Sequence, residues 1–134
     1  MGDYAKGIAK VTLLIGHQPH VKPLIDIPKM ADLAASMLHR AVAAFINQDA
    51  EAARRIPAED DQVDALYYQV YHELVMVMFQ DPTTIDGANY LMWVAHNLER
   101  MADRVSNICE RTIYVALGEL VELSTSDDKL TPTV

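Results

Sequence analysis

The chain has 134 residues, 51 % of them hydrophobic, with 7 methionines and only 5 glycines, which excludes disorder and suits one domain of packed helices. Its net charge of −8 argues against unaided binding to nucleic acid or an anionic membrane and favours basic partners and divalent cations. The single cysteine, Cys109, excludes an intramolecular disulfide, fits a reducing compartment and reads as a small buried hydrophobe.

In chain order, the first predicted element is a helix over 1–15, with Ala5, Ile8, Ala9, Thr12 and Leu13 as its apolar stripe and Gly16 as its stop. Residues 17–28 carry Pro19, Pro23 and Pro28 and read as a connector. A helix follows over about 29–55, with Met30, Leu33, Ala34, Met37, Leu38, Ala41, Phe45 and Ile46 inward; its many alanines suit close helix–helix approach. Pro57 opens the next helix, and Glu59, Asp60 and Asp61 complement its positive end. Val63, Leu66, Val70, Leu74, Val77 and Met78 face inward up to about Gln80. The run Asp81-Pro82-Thr83-Thr84 turns and caps into a last helix that persists to about Leu123. The polar tail over 124–134 is expected to be frayed or disordered.

No stretch alternates at period two for more than a few residues. The pattern predicts an all-α fold: an antiparallel three-helix bundle over 29–124, an extra N-terminal helix fragment over 1–16, a linker over 17–28 and a flexible tail over 125–134. The longest apolar runs, 75–79 and 13–15, are far too short to span a bilayer, and no signal peptide is visible. A cytoplasmic protein with no membrane insertion is expected.

The last helix carries the chemistry. Leu91, Ala95, Leu98, Ala102, Val105, Cys109, Thr112 and Ala116 form one apolar seam at helical period. Beside it run His96, Glu99, Asp103, Asn107 and Glu110, within about a quarter of the circumference. Glu99 and Asp103 are like charges one turn apart, which destabilises an isolated helix by roughly 0.2–0.5 kcal/mol and which a bound cation offsets. Asp60 and Asp64 repeat the spacing on the preceding helix. Two such pairs on adjacent helices give four oxygen donors, suited to a hard ion.

His96 reads as a surface or interhelix histidine, with a further ligand as the alternative. Tyr67, Tyr68 and Tyr71 read as packing with a wet hydroxyl, and Trp93 as a core anchor or a contact surface. There is no Gly-rich phosphate loop, no nucleophile elbow and no Cys/His metal spacing, so nothing in the sequence supports phosphate binding by the chain itself.

The chain also aligns with itself. Met1-Gly2-Asp3 matches Met101-Ala102-Asp103, and Ile8 and Thr12 match Ile108 and Thr112. The opening segment thus resembles the second half of the long helix, and the counterpart of Glu99 falls before Met1. This predicts a chain that keeps the tail of a first bundle and all of a second; two look-alike amphipathic helices are the alternative.

The run Leu98-Glu99-Arg100-Met101-Ala102-Asp103-Arg104-Val105-Ser106-Asn107-Ile108 resembles the signature of the PhoU family of phosphate-uptake regulators. The first ten residues resemble the matching end of that family's first repeat, and Asp60-Asp61-Gln62-Val63-Asp64-Ala65-Leu66-Tyr67 is similar to its second-helix segment. The resemblance implies two three-helix repeats and multinuclear iron or other divalent metal held by paired E(D)xxxD motifs. It also implies repression of the phosphate-starvation response through the phosphate ABC transporter and its sensor histidine kinase. Carried over by position, the metal-binding residues are Glu99, Asp103, Asp60 and Asp64, with Asp3 the surviving half of a first-repeat motif. The metal expected is divalent or trivalent: iron, manganese, magnesium or zinc. The sequence departs from the pattern in lacking nearly the whole first repeat.

A non-enzymatic, metal-binding regulatory adaptor is therefore the leading expectation. A carboxylate-bridged metalloenzyme usually needs Glu-x-x-His pairs on facing helices, and no Glu here is followed three residues later by His. A metal-free helical interaction module is the other alternative. Apolar surface left without its covering repeat predicts a homodimer.

Overall fold

A computed structural model of the chain describes residues 1–123; the expected flexible tail lies outside the described residues. Five α-helical segments run in order: α1 (Gly2–Ile15), α2 (Asp26–Asn47), α3 (Ala50–Arg55), α4 (Asp60–Gln80) and α5 (Ile85–Leu117). Single 3-10 turns over Ile56–Glu59 and Pro82–Thr84 join α3 to α4 and α4 to α5. No strand occurs among the described residues.

The long helix α5 is the central rod, and every other helix packs on it. The Lys22–Glu73 ion pair ties the entry of α2 to the second half of α4, so these two helices run oppositely. Short connections reverse the chain again into α5, giving the up-down-up bundle of α2, α4 and α5. Its interior holds Met30 and Met37 from α2, Val63, Val70 and Leu74 from α4, and Val105 and Ile113 from α5, all fully buried. Burial of each such side chain contributes about 1.5–3 kcal/mol. Ala34, Ala41 and Ala44 of α2 are buried as well, so the alanine-rich face brings backbones together rather than filling space with side chains.

α1 packs on α5 alone among the described elements, antiparallel to it. Tyr4 meets Arg104 and Arg100, whereas Gly7 meets Trp93, so contacts on α5 move toward its N-terminus as α1 proceeds. Gly7 is required by that approach: a Cβ there would lie 2.6 Å from Trp93 Cη2.

Several boundaries differ from the sequence expectation, each for a local reason. α2 starts at Asp26, ahead of Lys29, because Pro28 falls in the first turn, where no backbone donor is needed. The helix expected over 29–55 is broken after Asn47. Gln48 adopts a left-handed conformation (φ 51°), and Asp49 starts α3 anew by accepting a hydrogen bond from the Ala52 amide at 2.9 Å. α5 stops at Leu117 instead of continuing toward Leu123. Gly118 takes the left-handed cap (φ 72°) and its N–H bonds the Tyr114 carbonyl at 2.8 Å. The chain then folds back, and the Leu123 amide donates to Glu110 at 2.7 Å.

Two predicted apolar stripes are rotated. On α1 the covered positions are Tyr4, Gly7, Ile8, Val11 and Ile15, while Ala5, Ala9, Thr12 and Leu13 are exposed. On α2, Phe45 and Ile46 are exposed because the seam follows the alanine line through Ala41 and Ala44, about 100° per residue away. On α5, seven of the eight seam residues are buried and Ala116 is half-buried, as the periodicity requires. Ala88, Val94, Asn97, Ser106 and Ile113 are buried too, since α5 has neighbours on more than one side. No helix among the described residues is long and apolar enough to cross a membrane.

Candidate functional site

Asp60 opens α4, immediately after the 3-10 turn that ends at Glu59. The turn is pinned to α2: Arg40 grips Glu59 with both terminal nitrogens, each 2.5 Å from a carboxylate oxygen. The guanidinium holds the Glu59 carboxyl below its usual range. Asp60 is thereby turned inward, to 8 % exposure. One turn on, Asp64 is half-buried on the same face of α4. Because α4 and α5 are antiparallel neighbours, this end of α4 lies across from the middle of α5, where Glu99 and Asp103 are also half-buried.

The four acids act on one another. The Asp60 carboxyl is pushed up to about 7, chiefly by burial. The charges of Asp64 and Asp103, a hydrogen bond with Asp103, and the charge of Glu99 push in the same direction. Asp60 Oδ1 is buried with no hydrogen-bond partner. A buried carboxylate oxygen that lacks a donor, facing three further carboxyls, is a strong local sink for positive charge.

Asp3 stands apart. It is exposed in the first turn of α1, whose Tyr4 meets Arg100 and Arg104, and it is not among the charges acting on Asp60. Arg104 Nε donates to the Tyr4 hydroxyl at 3.4 Å, and the Arg100 guanidinium lies 6.0 Å from the ring centroid. Of the five candidate ligands, Asp64, Glu99 and Asp103 act on Asp60, and Asp3 lies on the helix whose Tyr4 meets Arg100 and Arg104.

The donor chemistry of the four matches a hard cation, and the orphaned oxygen of Asp60 matches a ligand awaiting one. Among the described residues, however, no three carboxylate, imidazole or thiolate groups are already spaced as a ligand set.

Around the acids, Tyr67 is half-buried against His96, with ring centroids 6.1 Å apart, and His96 Nδ1 lies 3.7 Å from Glu99 Oε2. Burial, then the Glu99 charge, raises the Tyr67 hydroxyl above its ordinary value. The Tyr67–His96 contact had no signature in sequence, since it joins two helices 29 positions apart (96 − 67). Tyr68 and Tyr71 are exposed, and Trp93 is half-exposed over Gly7 rather than anchoring the core. Cys109 is fully buried and its thiol is pushed up to about 11 by burial, which makes it inert.

The family model described as PhoU domain matches residues 27–112. The phosphate-specific transport system accessory protein PhoU homolog of Aquifex aeolicus is 38 % identical over 122 residues, covering 91 % of this chain and 55 % of that protein. The homolog from Streptococcus pneumoniae serotype 4 is 35 % identical over 124 residues, covering 92 % of this chain and 57 % of that protein. The crystal structure of the phosphate transport system regulatory protein PhoU from Streptococcus pneumoniae superposes with a TM-score of 0.81 at 34 % identity, over 91 % of this chain and 57 % of that one. The chain thus spans a little over half the length of the relatives it matches. By sequence and by fold, the chain belongs to the PhoU family.

Proposed function

We propose that this chain is a non-enzymatic PhoU-type regulator of phosphate uptake, acting in the cytoplasm as a helical adaptor to a phosphate transport system. The relatives' names, as accessory and regulatory proteins of phosphate transport, support the reading. In it, the phosphate ABC transporter and its sensor histidine kinase are the partners, and the output is repression of the phosphate-starvation response. A homodimer fits the apolar side chains left uncovered on three helices: Leu13 (82 % exposed), Ile46 (73 %) and Phe79 (83 %).

The observation that carries the reading is the convergence of Asp60, Asp64, Glu99 and Asp103 on a PhoU-like bundle. In this reading the four carboxylates hold a divalent or trivalent ion, which neutralises the cluster and locks α4 to α5. The ion supplies charge neutralisation, and the orphaned oxygen of Asp60 gains its missing partner.

The test has two arms. In a bacterium deleted for its own PhoU protein, expression of the chain is expected to restore repression of a phosphate-starvation reporter; unrestored repression from a folded, expressed chain overturns the regulatory role. Purified chain stripped of metal is expected to bind Mn²⁺ or Fe³⁺. Unchanged binding in a variant with all four acids replaced by Ala overturns the site.

A further inference from the structure

We propose that the outward face of α4 docks a basic amphipathic helix of another protein, one with an apolar stripe and Lys or Arg at both ends. The inference rests on the adaptor reading above and names the surface that holds the partner.

α4 is apolar on two opposite sides. Val63, Val70 and Leu74 point into the bundle and are fully buried. About 150° round the helix, Ala65, Tyr68, Val75 and Phe79 form a second stripe, with Tyr71 and Met76 on its flanks, and all six are exposed. A surface helix ordinarily keeps that side polar. At about 200 Å² per large side chain, the exposed apolar area is on the order of 500 Å². That suits one helix laid lengthwise and falls short of the roughly 800 Å² per partner of a stable dimer.

Charge selects the occupant. α4 contains no Lys or Arg. Its stripe runs between Asp61 and Asp64 at one end and Asp81 and Asp86 just beyond the other. In the groove beside Met76, Lys22 and Lys29 are ion-paired with Glu73 and Asp26. A second copy laid along the stripe, in either direction, sets acids against acids, so homodimer contacts are left to α1 and α2. An anionic lipid surface meets the same repulsion. A partner helix with cationic ends meets acids at both. Cytoplasmic segments of membrane proteins are rich in such residues.

The probe is a synthetic amphipathic helical peptide with leucines on one face and lysines at both ends, titrated into the ¹⁵N-labelled full chain. Binding is expected to shift backbone resonances over 68–79, and the same peptide with glutamates at its ends is expected not to bind. Tyr71→Ser with Phe79→Ser, both at exposed positions, is expected to keep the melting temperature and weaken binding about ten-fold. Asp81→Asn with Asp86→Asn is expected to weaken it in low salt and flatten its salt dependence. Leu13→Ser, on α1, is expected to change nothing. Shifts confined to other helices, equal binding of the glutamate peptide, or full binding by the double-serine variant overturns the docking surface. So does a dimer, or attachment to phosphatidylserine vesicles, that the double-serine variant abolishes. In the PhoU-deleted bacterium the double-serine variant is expected to lose the repression that the wild-type chain restores. Equal repression by both overturns the surface and leaves the adaptor role standing, whereas failure of the wild-type chain overturns both.

Discussion

Arg40 and Glu59 close a two-pronged ion pair from the middle of α2 to the turn that delivers Asp60, with both nitrogen–oxygen distances 2.5 Å. The pair is partly exposed, so its worth is that of a well-formed surface bridge, about 0.5–1 kcal/mol. Arg40→Ala is expected to lower the melting temperature by a few degrees at neutral pH. Glu59 has a folded pKa below its ordinary 4.5, so its stabilisation is present above about pH 4.5 and lost as pH falls through the depressed folded value. Melting curves of wild type and variant should therefore converge in acid; a gap that persists there counts against the pair as the cause.

Asp60 shifts stability in the opposite sense. Its folded value of about 7 stands above the ordinary 3.8, so ionisation penalises the fold. That penalty is fully present above pH 7 and fades as pH falls through 7 toward 3.8. At about 1.4 kcal/mol per unit, the full shift is on the order of a few kcal/mol. Asp60→Asn is expected to raise the melting temperature of metal-free protein at pH 8 and to lose that advantage near pH 4. A variant less stable than wild type at pH 8 would show that the carboxylate is already compensated.

Gly7 allows α1 to seat against the indole of Trp93. In Gly7→Ala the new methyl would lie 2.6 Å from Trp93 Cη2, so the ring must swing or α1 must lift. The better helix propensity of alanine, about 1 kcal/mol, offsets much of the strain. The expected result is a small change in melting temperature together with a red shift in fluorescence from the chain's single tryptophan. An unmoved emission maximum would mean that α1 does not pack there in solution.

Ala41 is fully buried on α2, a helix that packs on both α5 and α4. Ala41→Leu is expected to cost about 1–3 kcal/mol by forcing the helices apart, read as a lower urea midpoint at unchanged slope. Phe45→Ala, on the exposed flank of the same helix, is expected to cost far less in a monomer. A comparable loss for Phe45→Ala that grows with protein concentration would place that flank in a dimer interface.

Periodicity alone determined the all-α class, the seam of α5 and the spacing of the two acid pairs, because side-chain direction on a helix follows from residue number. The acids of α5 were legible for the same reason: Glu99 and Asp103 recur at one turn beside an apolar stripe. Only tertiary structure decided the rest. Which of two adjacent stripes is covered depends on the neighbour, so α1 buries Val11 and leaves Leu13 out, and α2 follows its alanines past Phe45. The break at Gln48 was a choice between continuing one helix and capping a new one at Asp49; packing of the short α3 on α5 settled it. The burial of Asp60 and its orphaned oxygen arise from how separate helices are laid side by side. Spacing within one helix sets directions along that rod, and it carries no information about which rod lies opposite.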